Sequence, residues 1–278
     1  MKTIKQSFKI IPQDKGLEGI YKQVELAGRT CYKSEDKITE TSAKEFVDRM
    51  IKSGHGAMLE HGTVYLKVPM ETDNHSNPVG ICKYALNKYS KVNEYLWDYY
   101  ITANMRILVE NNWLDDLKYL CEPTEYHEKR VTVKFTTDQG VMREFTRHRV
   151  FSFACESTRY CNYSKDKFNN EITFIEPDWV SDTKEINSEA YNNAYEIFCS
   201  AMEEAEGYYM TLIENGFKPQ QARNVLPLAT KCELVMTGFI SDWKHFMSLR
   251  TPENAHPQAR ELANGIKEEF IKLGYINN

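Results

Sequence analysis

A chain of 278 residues with 41% hydrophobic and 27% charged side chains has the balance of a folded globular protein and can bury about three quarters of its unfolded surface. Its net charge of −5 argues against a general nucleic-acid binder, because counterion-releasing surfaces usually need a net basic domain, and leaves any anionic partner to a local cluster. No apolar run reaches the roughly 18 residues of a membrane helix, and Met1–Ser7 lacks a signal peptide's apolar stretch, so a cytoplasmic, membrane-free protein is expected. The seven cysteines form no C-x-x-C pair and read as reduced thiols.

In chain order, Ser7–Pro12 reads as a short strand stopped by proline, and Leu17, Ile20, Tyr21, Val24 and Ala27 follow at helical spacing. A second helix is expected from Ser42, with Phe46, Met50 and Ile51 apolar, ending near Gly54. The polar knot Gly54–Gly62 then precedes Thr63–Pro69, whose alternating Val64, Leu66 and Val68 predict a half-buried strand. Residues 71–128 read as an insertion: Glu71–Pro78 loop-like, then a helix-rich stretch from Tyr84 to Leu120 whose aromatic residues serve packing or a subunit contact. Val131, Val133 and Phe135 predict a strand, followed by a helix through Val141, Phe145 and His148. After Ile172–Pro177, a long helix over 187–215 closes at Asn215-Gly216, and Pro219 opens a short helix carrying Arg223. Cys232–Phe239 suits a strand, Ser241-Asp242 a helix cap, and two helices run to Arg250 and from 256 to 273. These elements predict one mixed α/β domain spanning 1–278, a central mixed β-sheet flanked by helices, with the helical insertion added.

The densest polar stretch is 143–163. Arg143, Arg147, His148, Arg149 and Arg159 crowd five potential cations into 17 positions, and a helix would place Arg143 and Arg147 on one face. Arginine grips phosphate or carboxylate with a planar fork, so this cluster suits a phosphorylated small molecule, with hydroxyls of Ser152, Ser157, Thr158 and Tyr160 beside it. The bland alternative is a solvated helix end. Interleaving with Val150, Phe151 and Phe153 favours arginines held over a cleft.

Arg147-His148-Arg149, seven residues and Ser157 resemble the R-H-R-x7-S signature of the flavin-dependent thymidylate synthases, continued by Arg159-Tyr160 as in S-x-R-Y. Ordered matches extend the resemblance along the chain: Glu60-His61 before a strand, Asn104-Met105-Arg106, Arg223-Asn224-Val225-Leu226-Pro227 for R-x-x-L-P, and Phe246–Arg250 for F-x-x-L-R. The resemblance implies reductive methylation of dUMP to dTMP, with carbon from methylenetetrahydrofolate and hydride relayed by FAD from NADPH, in a homotetramer whose sites lie between subunits. It implies FAD contacts at Arg147, His148, Arg149, His61 and His245. It implies dUMP contacts at Glu144, Ser157, Arg159, Tyr160, Arg223 and Arg250, with Ser157, Arg250 and His61 nearest the chemistry.

Ser157 has no adjacent histidine base, so the residues alone do not make it a nucleophile. His55, Glu60 and His61 lack metal-ligand spacing, and no metal is expected. The chain also departs from the family: Ala154 and Cys155 replace an Asn-Glu pair, with Glu156 one place later, and Glu144 stands for Gln. Phe239 and His245 stand for Asn, and Ala255-His256-Pro257-Gln258 for A-Q-W-E. Two rivals remain on the sequence: a flavin-free phosphodiesterase using His148 and His61, and a nucleotide or RNA binding module built on the same arginines.

Overall fold

The computed structural model describes residues 1–70, 83–182 and 188–277. β1 (Lys2–Ile4) and β2 (Ser7–Ile11) lead into α1 (Gly16–Tyr32), which buries Ile20, Val24 and Ala27. α2 (Ser42–Lys52) buries Phe46, Val47 and Met50 against it, and the short α3 (Gly56–Leu59) ends before β3 (Thr63–Pro69). β2, α1, α2 and β3 match the apolar spacing of the sequence, whereas β1 and the one-turn α3, inside the polar knot, have no such signal.

The insertion differs from its helix-rich reading. β4 (Lys91–Tyr95) and β5 (Asp98–Asn104) form an antiparallel hairpin, and β5 pairs with β3 through Val64↔Ala103 and Leu66↔Ile101. Among the described residues of the insertion the helical parts are residues 83–85, α4 (Met105–Glu110) and a 3-10 turn at Leu114–Tyr119. Tyr99, Ile101 and Ala103 alternate into the core beside Val64 and Leu66, and aromatic and β-branched side chains suit such a pleated surface better than a helix. The loop expected at 71–78 lies outside the described residues.

The central sheet has the order β2-β6-β9-β7, built on β6 (Arg130–Asp138), β7 (Ser152–Cys155) and β9 (Lys231–Phe239). All three of its pairings are antiparallel, so it is not the mixed sheet expected; the parallel pairing lies apart, between β1 and β8 (Thr173–Ile175). Between β6 and β7 runs α5 (Gln139–Phe145), and after β8 come α6 (Asp178–Asp182), α7 (Ser188–Glu214) and α8 (Pro219–Ala222). α9 (Ile240–Arg250) and α10 (Pro257–Lys272) close the chain. At the start of α9 the Asp242 carboxylate accepts the Phe239 N–H at 3.1 Å, so it caps from inside the first turn rather than ahead of it.

Strand alternation gives this sheet two unlike faces. Val131, Val133, Phe135, Leu234 and Met236 meet Trp243, Phe246, Leu262, Ile266 and Phe270 of α9 and α10 in the main core. The Trp243 indole N–H donates to the Val131 carbonyl at 3.1 Å, which satisfies its polar end. On the opposite face, Val235 and Ala154 pack on Ala27 of α1, but polar groups flank them at both ends. One end holds Lys134, Glu233, Lys231 and Glu156; the other holds Thr132, Thr237 and Ser152.

Candidate functional site

α5 is capped by Asp138, whose carboxylate accepts the Val141 N–H at 2.7 Å, and Gln258 of α10 donates to the same side chain at 3.2 Å. The helix stops at Phe145, so Arg147 lies beyond it and does not share a helical face with Arg143. Successive turns carry the chain from Glu144 to Phe151, through Arg147 N–H to Glu144 O at 3.3 Å and Phe151 N–H to His148 O at 3.1 Å. Those turns present Arg147 and Arg149 to solvent and fold His148 inward against Phe246, at 4.9 Å between ring centres. Neither arginine has a side-chain hydrogen bond or ion pair among the described residues.

Arg250, at the end of α9, is the hub of this group. Its guanidinium donates to His148 Nε2 at 3.0 Å, to the Glu144 carbonyl at 2.8 Å and to the Glu144 carboxylate. A guanidinium has no acceptor, so His148 Nε2 carries the lone pair and its proton sits on Nδ1. Burial, then Arg250 and His245, push the His148 pKa down to about 4. His148 is therefore a neutral strut for Arg250, not the third exposed cation of the cluster. Exposed His245 stands 6.5 Å from it, ring to ring. A cavity of about 440 Å3 opens beside Glu144 and Arg143, bordered by Asp138, Gln258 and His256.

A second group forms where β7 leaves the sheet. The Ser157 N–H donates to the Cys31 carbonyl at the end of α1 at 3.0 Å, and the Arg159 N–H donates to Ser157 Oγ at 3.3 Å. Arg223, in the 3-10 turn after α8, donates to Thr158 Oγ1 at 3.2 Å. Exposed Tyr160 leans on Tyr32 at 5.2 Å and lies under the Arg159 guanidinium at 5.4 Å. The structure thus gathers Ser157, Arg159, Tyr160 and Arg223, and separately Glu144, His148, His245 and Arg250. Among the described residues no hydrogen bond or ion pair joins the two groups.

His61 belongs to neither. It is fully buried, its Nδ1 is 2.8 Å from Thr237 Oγ1, and Thr237 meets Thr132 at 2.8 Å. Burial, with Arg130 adding its charge, pushes its pKa down to about 3. His61, expected at the flavin or folate, is a neutral core histidine within this chain and has no solvent-accessible surface there.

Sequence reasoning missed Tyr32 and Arg130. Tyr32 sits in the last turn of α1, and its only signal was an aromatic outside that helix's buried stripe. Arg130 donates to the Glu60 carbonyl, Thr63 Oγ1 and Ser152 Oγ at 3.0 to 3.2 Å, tying the β3 entrance to β7. The departures resolve differently. Ala154 fills the α1 side of β7, Cys155 packs toward the main core, and burial pushes the Cys155 thiol up to about 11.

The thymidylate synthase complementing protein family model matches residues 122–273, more than half of the chain. A probable flavin-dependent thymidylate synthase of Paramecium bursaria Chlorella virus 1 is 28% identical over 158 residues, 51% of this chain and 66% of that one. The flavin-dependent thymidylate synthase of Pyrococcus furiosus is 32% identical over 129 residues, covering 46% and 49%, and that of Corynebacterium efficiens 24% over 268, covering 92% and 78%. The chain spans about half to two thirds of the length of the first of these curated relatives. A solved UMP/dUMP methylase, PolB from Streptomyces cacaoi bound with 5-Br dUMP, overlays at TM-score 0.48 and 18% identity, covering 98% of this chain and 93% of that one. The matched residues include α5, both arginine groups and α9, and the chain belongs to the thymidylate synthase complementing protein family.

Proposed function

We propose that this protein is a flavin-dependent thymidylate synthase, methylating dUMP to dTMP with methylenetetrahydrofolate as carbon donor and NADPH as reductant. The observation that carries the reading is Arg250 fixed on Glu144 and His148 while Arg147 and Arg149 stand beside them exposed and unpaired. Two unpaired guanidinium forks suit a dinucleotide pyrophosphate, so the residues present fit FAD. Bound FAD supplies the hydride relay, which no side chain can.

The chain's own tasks are binding and orientation. Arg147 and Arg149 hold the cofactor phosphates. Arg250, with its fork preset by Glu144, and Arg223, steadied by Thr158, hold the nucleotide, joined by Ser157 and Arg159. Tyr160 and Tyr32 offer an aromatic wall for a planar ring. His245 lies at the cofactor edge. With no hydrogen bond or ion pair joining the two arginine groups within one chain, a complete site takes one group from each of two copies, within a cytoplasmic homotetramer. Exposed Val150 and Leu249 beside the arginines, and Ile197 and Tyr208 on α7, are apolar surface that such copies would cover.

The test is the visible spectrum of the purified protein supplied with FAD, then reduced anaerobically by NADPH with and without dUMP. The expected result is a bound flavin that bleaches and responds to dUMP. Arg147→Ala should lose FAD with the fold intact, and Arg223→Ala should weaken dUMP while FAD stays bound. A colourless protein without FAD affinity would leave the anion-binding module in its place.

A further inference from the structure

The end of α1 and the start of the loop carrying Ser157 to Tyr160 are joined by a closed ring of contacts. The Ser157 N–H donates to the Cys31 carbonyl at 3.0 Å, and the Glu156 N–H, one residue earlier, donates to the Glu233 carbonyl of β9 at 2.8 Å. The Glu233 N–H returns to the Glu156 carboxylate at 3.2 Å. Two residues after Cys31, Lys33 closes the ring, its ammonium 2.7 Å from the Glu233 carboxylate. Ser157 thus hangs between a helix end and a central strand, and Lys33 is the charged tie between the two.

The backbone gives no reason for a lysine at this position. Lys33 takes φ 46 and ψ 55, the left-handed conformation that glycine or asparagine adopts at lower cost. Its side chain supplies the reason. At 19% and 15% exposure Lys33 and Glu233 are weakly screened by water. Burial alone would lower the Lys33 amine, but Glu233 and Glu35 raise it. Burial alone would raise Glu233, but Lys231, Lys33 and Lys134 hold its carboxyl down to about 2, so the pair stays charged at neutral pH.

The same helix end carries Tyr32, whose ring centre lies 5.2 Å from that of Tyr160. Where α1 ends therefore sets both the Ser157 backbone and the aromatic wall beside it.

We propose that Lys33 is a positioning residue for the nucleotide site: its ion pair with Glu233 fixes the end of α1, so that the Cys31 carbonyl and the Tyr32 ring hold Ser157 and Tyr160 in place for dUMP. The inference rests on the dUMP reading of this loop, whereas the clamp itself is measurable without any ligand.

Glu233→Gln would weaken the hold on Lys33 and Lys134 together and risks the fold. Lys33→Asn is the deciding variant, because asparagine tolerates the left-handed turn and Glu233 keeps Lys134 at 2.8 Å. Hydrogen exchange of the peptide 155–161 in the ligand-free full chain is expected to be about tenfold faster in the variant. Its dUMP affinity, titrated by calorimetry, is expected to fall about tenfold with FAD affinity unchanged, because Arg147 and Arg149 lie in the other group. Lys33→Arg, which keeps the charge, should stay near wild type in both measurements. Three results would overturn the proposal: unchanged exchange in Lys33→Asn; faster exchange with unchanged dUMP affinity; or equal loss of FAD and dUMP, the mark of a general stabilising residue. A wild-type chain that binds no dUMP while its exchange depends on Lys33 would keep the clamp and overturn the dUMP reading instead.

Discussion

His61 and Cys155 show how burial decides what a reactive side chain does. The folded His61 pKa of about 3 lies below the ordinary 6.5, so between these values the unfolded chain takes up a proton that the folded one refuses. Stability therefore falls as pH drops through that window, by about 2 kcal/mol for His61 between pH 7 and 5. His148, held down to about 4, acts in the same direction over the same interval. Urea midpoints of wild type and His61→Asn at the two pH values check this, with the pH slope expected to be roughly halved in the variant. Cys155, its thiol pushed up to about 11, stays protonated at neutral pH. Cys155→Ala should keep methylation within about twofold, and loss of turnover with FAD retained would instead make the thiol functional. The His148 tautomer belongs to this scale too: the spacing R-H-R was legible, but not that its middle residue turns inward to hold Arg250.

At the scale of elements, the arginine surface rests on how β9 meets the turns before β7. Gly238 leaves space for Phe151, whose ring would stand 2.5 Å from any added Cβ. Phe151 packs on Trp243 at 4.7 Å between ring centres, immediately after the turns that carry Arg147 to Arg149. Gly238→Ala must displace that ring, with an expected loss of about 2 kcal/mol in denaturant unfolding and weaker FAD binding at the displaced turns. A stable variant with unchanged FAD affinity would show that the turns do not lean on Phe151. The hairpin of β4 and β5 teaches the opposite lesson. Its tip places Leu96 at φ 52, a conformation glycine adopts more easily, and cross-strand pairing with β3 overrides a composition that read as helical.

At the scale of the whole molecule, two incomplete arginine groups predict sites shared between copies. Arg250→Ala spoils one group and Arg223→Ala the other, so each variant alone should turn over little at dUMP concentrations that suffice for wild type. Unfolding and refolding them together should restore about a quarter of wild-type turnover, because mixed assemblies then contain some sites with both groups intact. No recovery, with assembly confirmed by sedimentation, would place both groups of a site in one chain.

The sequence by itself determined the helices and strands with strong apolar periodicity, the arginine-rich stretch, and the family to which the ordered motifs belong. These are local properties: periodic burial, turn chemistry and residue spacing need no knowledge of distant partners. Only the tertiary structure decided that the central sheet is antiparallel, that the aromatic insertion forms a hairpin, and that His61 is buried against Thr237 of β9. It also decided that Arg250, 102 residues from His148, fixes that histidine's tautomer, and that Lys33 pairs with Glu233, 200 residues away. Each of these depends on which face of a strand meets which distant neighbour, and burial, charge pairing and hydrogen-bond direction are set only once that contact exists.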